Sequence, residues 1–314
     1  MPTAPQLPWE VPVMQAPIGP AATPELVAAV SAAGGIGCLG ASWTDPAVLR
    51  DQIRAVRRLT DRPFAVNLVL AFDQAERLEV VAAEGVAIVS FSWGVDADLV
   101  ARAHAAGAVV LVQAGSVAEA SAAAGAGCDA VIAQGVEAGG HVQGTTDLRT
   151  LLGQVREAVD VPVIAAGGIT AAAGVRTVMA AGAVGVMMGT RFVATEEADV
   201  HPDYAARVVA GAETVHTRLF DGGWPDAPHR VLVNSTYTAW RRAGSPPPGA
   251  RPGEGEVVGE HEGTPIARYS ADDPRRETTG DIEAMCLYAG TGSIEAIEPA
   301  AAVVERIAAD LRRG

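Results

Sequence analysis

Short aliphatic runs alternate with Ala-rich stretches of helical periodicity from Val11 to about residue 195. This alternation is typical of βαβ units, whose parallel strands are buried on both faces. The pattern predicts eight strands, at 11–16, 36–39, 63–69, 86–91, 108–113, 129–133, 161–166 and 183–188. Eight is the number of strands in a (β/α)8 barrel, whereas doubly wound sheets usually have about five or six. We therefore predict an α/β protein with a (β/α)8 TIM barrel, a doubly wound sheet being the alternative.

Helix-start signals follow the first two predicted strands. Thr23-Pro24 and Asp45-Pro46 each place a capping side chain directly before a proline, which is favoured at the first helical position. In the second helix, Leu49, Ile53 and Val56 recur at the spacing of one helical face. These residues are expected to face the barrel.

The character of the sequence changes after residue 195. We predict a barrel core over 1–199, a smaller lid or insertion with the substrate-facing wall over 200–285, and a C-terminal segment over 286–314 that packs back on the barrel. This division allows one full barrel of roughly 250 residues together with an insertion.

Three local patterns lie in this C-terminal third. Residues 243–256 are a Pro/Gly-rich loop, and 257–269 predict a hairpin that turns at Glu262-Gly263. The last helix is expected over about 295–312, with Ile297, Val303, Val304, Ile307 and Leu311 at core spacing.

Composition removes several classes of function. All 23 cationic residues are Arg, and the absence of Lys excludes Schiff-base aldolases, pyridoxal-phosphate enzymes and Walker-type NTPases. The formal net charge of −14 disfavours binding to nucleic acid, which normally requires a basic surface. The substrate is therefore expected to be a small molecule.

Three cysteines, Cys38, Cys128 and Cys286, form no CxxC pair, so neither a disulfide framework nor a metal site is indicated. We expect them to be buried as small hydrophobic residues. The N-terminal stretch MPTAPQLPWEVPV lacks the basic and apolar regions of a signal peptide, and no apolar run is long enough for a membrane helix. The expectation is a cytoplasmic protein without a membrane partner, and the oligomeric state is left open, with a homodimer as one alternative.

Glycine-rich turns follow the seventh and eighth predicted strands. VIAAGGI ends at Ile169 and VMMGTRF begins at Val186, so both turns lie at the C-terminal ends of strands. In barrels, backbone N–H groups of these two loops commonly bind a phosphate. Two such loops at these positions favour a phosphate site over plain turns.

The stretch AQGVEAGGH follows the sixth predicted strand and ends at His141. A pair of glycines before the histidine predicts an imidazole on a mobile loop above the barrel mouth, where it could act as a base or as a hydrogen-bond donor. The other histidines lack this context, and His104, His201, His229 and His261 are interpreted as surface residues.

Two further strand ends carry candidate contacts. MQAPIG follows the first strand, and Asn67 ends the third. A buried Asn needs hydrogen-bond partners, which the polar edge of a heterocycle could supply, although both features also fit plain barrel architecture. Trp224, Tyr237 and Trp240 lie in the predicted lid and are expected to pack or to shape the substrate pocket.

Taken together, QAPIG, SAAGGIGCLG, FAVNL, AQGVEAGGH, VIAAGGI and VMMGTRF resemble the nitronate monooxygenase family, formerly called 2-nitropropane dioxygenases. The likeness covers about residues 11–195, and AQGVEAGGH is its most distinctive part. A weaker likeness recurs at 287–292, where Thr291 stands in place of the family's Gln. That substitution puts a flavin or substrate contact in doubt.

The resemblance implies an FMN-dependent enzyme that oxidises alkyl nitronates, or nitroalkanes, with O2 to a carbonyl compound and nitrite. His141 matches the family's active-site histidine and would remove a proton from the substrate or stabilise an anion. The residues that would bind FMN are Ala16, Pro17, Ile18, Asn67, Gln134, Gly139, Gly140, Gly167, Gly168, Met187, Met188, Gly189 and Thr190.

Three other functions stay open at this point. The motifs overlap with those of FMN-dependent enoyl reductases that use NAD(P)H. Dehydrogenases similar to inosine-monophosphate dehydrogenase share the glycine phosphate loop, but they need a Cys after the sixth strand, and Cys128 precedes it. A flavin-binding protein without turnover is the non-enzymatic alternative, prompted by Thr291.

Overall fold

The eight predicted strands all form, and together they make a nearly closed barrel. The structure, a computed structural model, describes residues 7–313, so the first six residues of the stretch examined for a signal peptide lie outside the described part. The strands of the first two thirds of the chain are β1 (Val13–Gln15), β2 (Cys38–Gly40), β3 (Ala65–Val69), β4 (Ile88–Ser92), β5 (Val109–Ala114), β6 (Ala130–Gln134), β7 (Gly140–His141), β8 (Val163–Ala166) and β9 (Gly185–Met188).

All of these strands except β7 belong to one parallel sheet. Its order is β1-β9-β8-β6-β5-β4-β3-β2, and a parallel bridge between Met14 and Ile36 connects the two ends. The prediction of a (β/α)8 barrel is therefore confirmed. Since every strand runs in the same direction, the loops that follow the strands meet at one end of the barrel.

Helices follow the strands in turn: α1 (Pro24–Ala32), α2 (Pro46–Leu59), α3 (Ala75–Ala83), α4 (Ala97–Ala105), α5 (Val117–Gly125), α6 (Leu148–Ala158), α7 (Ala172–Ala180) and α8 (Thr190–Val193). The predicted caps are present, because Thr23 Oγ1 accepts a hydrogen bond from the Leu26 N–H at 3.0 Å and Asp45 Oδ1 accepts one from Ala47 at 2.8 Å. Within residues 7–313, none of the helices is both long and apolar enough to cross a bilayer.

Aliphatic side chains fill two layers. One lies inside the barrel and includes Met14, Ile88 and Ile164. The other lies between the strands and the surrounding helices and includes Ile53. All three cysteines are free and buried, as expected from their isolated positions.

The region after the barrel forms two small antiparallel sheets. Its elements are α9 (Pro202–Val209), β10 (Thr214–Thr217), β11 (His229–Leu232), α10 (Ser235–Arg242), β12 (Val257–His261), β13 (Thr264–Ala267) and β14 (Thr279–Gly280). The predicted hairpin is confirmed, since β12 pairs with β13 and both Glu262 and Gly263 have positive φ in the turn. The other sheet, β10-β11-β7, joins this region to the barrel.

The last helix, α11 (Ala300–Leu311), packs against α1 and α7. Val303, Val304 and Ile307 are buried as predicted, but the placement of Ile297 in the core is wrong. Ile297 is 44% exposed, because Pro299 caps the helix and the chain before it is not helical. The division into 1–199, 200–285 and 286–314 stays a prediction.

The buried face of α2 gives a direct test of the packing. Ile53→Ala should lower the free energy of unfolding by about 2–5 kcal/mol, because Ile53 is fully buried and truncation leaves a cavity. Leu59→Ala, on the same helix but 55% exposed, should change it by less than about 0.5 kcal/mol. Urea denaturation followed by circular dichroism measures both; equal effects of the two changes would contradict this packing.

Candidate active site

A glycine-rich cavity opens where the barrel strands end. It is lined by Ala16, Gln113, Gln134, Ala138, Gly139, Ala166, Gly167, Gly168, Ile169, Thr170, Met187, Met188, Gly189, Thr190, Gly290 and Gly292. Nine of the residues predicted to bind a cofactor are among them. Pro17, Ile18, Asn67, Gly140 and the predicted catalytic His141 are not lining residues.

The glycines let backbone segments form the cavity wall. A Cβ on Gly139 would lie 2.5 Å from the Gly290 nitrogen, so the segment before His141 and the segment at 290 touch through their main chains. Gly167 and Gly168 have φ of 120° and 65°, values that side chains rarely allow. Within residues 7–313, the backbone N–H groups of Gly168 and Gly189 donate to no protein acceptor. Two free donors at neighbouring strand ends suit a phosphate.

Asn67, which is predicted to contact the flavin, makes hydrogen bonds inside the barrel. Its amide donates to the Ser90 carbonyl at 3.1 Å and lies near the hydroxyls of Ser90 and Ser92. Asn67 is buried with these partners, so its polar atoms are satisfied inside the barrel. These partners are enough to account for a buried Asn at this position without a contact between its side chain and a flavin.

Gln134 lines the cavity, but its amide holds the chain around His141. Its Nε2 donates to the His141 carbonyl at 3.1 Å, and its Oε1 accepts from the Gln143 N–H at 3.2 Å. Both functional ends of the side chain are therefore engaged. Gln134 positions the histidine segment and presents only its remaining surface to the cavity.

His141 lies in a β-strand, so its expected location on a mobile loop is wrong. Strand β7 pairs with β11, with His141 opposite His229 and Gly140 opposite Arg230. The Val142 N–H extends the pairing to the Pro228 carbonyl at 2.8 Å. No strand was predicted at this position, because β7 has only two residues and its partner β11 lies some ninety positions later in the chain.

The imidazole of His141 is held in an apolar, aromatic environment. Trp224 stacks on it with ring centroids 4.3 Å apart, and Tyr288 and Trp93 lie at 5.5 and 6.1 Å. Its Nε2 atom is buried and has no hydrogen-bond partner among the described residues. Burial, with a smaller effect of neighbouring His229, lowers the pKa of His141 to about 3.

His229 is a fully buried neutral partner and not a surface residue as interpreted from the sequence. The Phe220 N–H donates to its Nε2 at 3.2 Å, so the proton is on Nδ1, which donates to the Ala227 carbonyl at 3.0 Å. Burial lowers the pKa of His229 to about 4. Because both ring nitrogens of His229 are hydrogen-bonded to backbone groups, His229 packs beside His141 and does not exchange protons with it. His261, also interpreted as a surface residue, is buried as well.

Of the aromatic residues noted in the predicted lid, only Trp224 reaches His141. Tyr237 and Trp240 pair with each other at 5.9 Å, and the Trp240 indole donates to the Pro246 carbonyl. Trp93 was not predicted as a site residue, and its position directly after β4 was the signal that could have identified it. Gln113 was also missed, whereas Gly290 and Gly292 lie in the segment 287–292 already noted for its likeness to the family.

Thr291 lies beside the predicted phosphate loop. Its N–H donates to the Glu137 carbonyl at 3.0 Å, and its hydroxyl lies near Gly168. Its neighbours Gly290 and Gly292 line the glycine-rich cavity. Among residues 7–313, no three His, Cys, Asp or Glu side chains are grouped so as to hold a metal ion.

The low pKa values predict how the two histidines titrate. Both imidazoles should stay neutral down to about pH 5, and their ring ¹⁵N signals should shift only near pH 4 and below. Since the unfolded chain protonates its histidines near pH 6.5, the free energy of unfolding should fall as the pH drops below that value. Histidine-labelled NMR, assigned with His141→Gln and His229→Gln, measures this; a midpoint near pH 6.5 for His141 would contradict the apolar environment.

Comparison with known proteins agrees with this geometry. A profile of the nitronate monooxygenase family matches residues 6–76 and 71–310. A relative from Rhodococcus jostii, named (3aS,4S,5R,7aS)-5-hydroxy-7a-methyl-1-oxo-octahydro-1H-indene-4-carboxyl-CoA dehydrogenase, is 39% identical over 240 residues, covering 74% of this chain. That alignment spans 66% of the relative, slightly less than two thirds of its length.

Two solved structures cover nearly the whole chain. Nitroalkane oxidase from Streptomyces ansochromogenes has a TM-score of 0.78 and 34% identity, covering 98% of this chain and 97% of that one. FabK from Thermotoga maritima has a TM-score of 0.79 and 31% identity, covering 97% and 94%. Because the family profile matches nearly all of the chain, and the barrel and the glycine-rich cavity accompany that match, this protein belongs to the nitronate monooxygenase family.

Proposed function

We propose that this protein is an FMN-dependent oxidoreductase that oxidises alkyl nitronates with O2 to a carbonyl compound and nitrite. The observation that carries the proposal is the buried, unpartnered Nε2 of His141 in the segment that leads directly from the glycine-rich cavity. A ring nitrogen that is paired with no described protein group supports a hydrogen bond between His141 and a ligand.

His141 would act on the substrate as a hydrogen-bond donor. A histidine with a pKa of about 3 is a poor base, so it is ill suited to remove a proton from a neutral nitroalkane. A neutral imidazole with its proton on Nε2 can instead donate to an oxygen of a nitronate that arrives already ionised. In an apolar environment such a fixed donor stabilises negative charge more than it would in water.

The free backbone donors at two strand ends support a flavin that carries a terminal phosphate. The free N–H groups of Gly168 and Gly189 would bind the phosphate, and Met187, Met188 and Ala16 would contact the rest of the cofactor. FMN, when bound, supplies the redox and O2 chemistry. The chain would bind FMN, orient the substrate through His141 and exclude water with Trp224.

A cytoplasmic location and assembly as a homodimer stay predictions.

A second function is supported by the relatives. The likeness to FabK and to a carboxyl-CoA dehydrogenase favours a flavin oxidoreductase that uses NAD(P)H, with an enoyl compound as acceptor. The two functions differ in what reduces the flavin. A nitronate does so in the first and a nicotinamide in the second.

The deciding experiment is an anaerobic reduction of the bound flavin. The holoenzyme is mixed with propyl-2-nitronate or with NADH, and the flavin absorbance is followed by stopped flow. Rapid reduction by the nitronate, with NADH slow, is expected. Reduction by NADH alone would replace the proposal with the reductase.

His141→Ala should reduce kcat/KM for the nitronate by about 10²–10³, because removal of one donor to a developing or bound anion typically costs this much. His104→Ala is the control, since His104 lies on α4 and pairs with Asp129 on the outside of the barrel. Oxygen consumption with the flavin content of each variant measured separately gives the comparison. Parental kcat/KM in His141→Ala would remove the histidine from the proposed site.

A further inference from the structure

Four aromatic side chains form a continuous patch next to His141. Trp43, Phe72 and Trp93 lie in the loops after β2, β3 and β4, and Trp224 lies in the segment 221–227 of the region after the barrel. We call them the aromatic patch. Trp224 is the centre, with ring centroids 4.7 Å from Trp93, 5.4 Å from Phe72 and 5.7 Å from Trp43.

The patch runs from the reacting end of the site to the surface. Trp224 stacks on His141, whereas Trp43 is 58% exposed, and Phe72 and Trp93 are half-buried. The four rings carry no charge. A single exposed aromatic residue is ordinary, but a contiguous apolar surface that begins at an active-site histidine is typical of a ligand-binding surface.

The backbone at Trp93 is held in an unusual conformation. Its φ is 59°, in the left-handed region that bulky residues rarely adopt. The Trp93 N–H donates to Gln143 Oε1 at 3.2 Å, and the same oxygen accepts from Gln113, which lines the glycine-rich cavity. Strained residues of this kind cluster at functional sites. The Trp93 backbone is thus linked through Gln143 to Gln113 in the wall of the glycine-rich cavity.

Trp224 is held by its ring contacts alone. Within residues 7–313 its indole N–H donates to no protein group. Its segment is held at Gly222, whose N–H donates to the Tyr269 carbonyl and whose carbonyl accepts from the Ala271 N–H. Trp224 therefore packs by contact between apolar surfaces. A ligand with an apolar ring can extend or replace those contacts without breaking a hydrogen bond.

We propose that the aromatic patch binds the carbon skeleton of the substrate, and that this skeleton is an apolar ring that contains or carries the reacting carbon. This inference rests on the proposed function for the anionic end, which His141 would hold. Trp43 and Trp224 are then specificity-determining residues. Small alkyl nitronates reach His141 but leave the patch uncovered.

Non-reacting carboxylates test the binding directly, because a carboxylate is a planar anion with two oxygens, as a nitronate is. Dissociation constants of acetate, hexanoate and cyclohexanecarboxylate are measured on the holoenzyme from flavin absorbance changes and from tryptophan fluorescence. Cyclohexanecarboxylate should bind at least about tenfold more tightly than acetate and more tightly than hexanoate, since the ring buries more apolar surface against the patch.

The variants separate the patch from the rest of the site. Trp43→Ala and Trp224→Ala should each remove most of the preference for the ring. Trp43 is exposed enough that its truncation leaves the fold intact. Leu59→Ala, which removes a side chain of similar exposure on α2, should keep the preference. Equal binding of acetate and cyclohexanecarboxylate, or a preference unchanged in both Trp variants, would overturn the proposal.

A kinetic comparison distinguishes this failure from failure of the proposed function. The parent protein is assayed with cyclohexyl nitronate and ethyl nitronate, and kcat/KM should be at least about tenfold higher for the ring. Turnover of both at equal kcat/KM overturns the patch proposal and keeps the proposed function. Reduction of the flavin by neither, together with ring-selective carboxylate binding that depends on Trp43, overturns the proposed function and keeps the patch.

Discussion

The pairing of β7 with β11 is the contact on which the candidate site depends. β7 follows the barrel strand β6 after a short glycine-rich segment, and β11 belongs to the region after the barrel. Their hydrogen bonds fix His141 opposite His229 and bring the segment that carries Trp224 over the imidazole. The barrel alone would leave His141 on a loop in water. Its chemistry is therefore a product of both parts of the chain.

Burial by these neighbours sets what the histidine can do. An imidazole in water titrates near pH 6.5 and can act as a general base, but this apolar environment lowers the pKa of His141 to about 3. Its Nε2 is buried and has no hydrogen-bond partner within residues 7–313. Under the proposed function, a substrate oxygen would accept a hydrogen bond from this atom. A low pKa fits the proposed recognition of an anion better than it fits abstraction of a proton.

The sequence predicted the barrel well because its signals are local. Aliphatic runs, the caps at Thr23 and Asp45, and glycines at strand ends each depend on a few neighbouring residues. Strand β7 and the stacking of Trp224 depend on contacts between residues far apart, and no local pattern encodes them. Gln134 shows the same limit. Its position at the end of β6 could be predicted, but its hydrogen bonds to His141 and Gln143 depend on the path of the chain after the strand.

The two halves of the site rest on different parts of the sequence. The cavity is built mainly from the strand-end motifs that carry the family resemblance, such as VIAAGGI and VMMGTRF. Trp43, Phe72, Trp93 and Trp224 all lie outside those motifs, in loops that tolerate change more readily than strands do. A nitroalkane oxidase and FabK resemble this chain at nearly equal TM-scores, 0.78 and 0.79, so the likeness of the fold alone does not select between their activities. If the proposed aromatic patch binds the substrate, its loops rather than the family motifs would set the substrate preference.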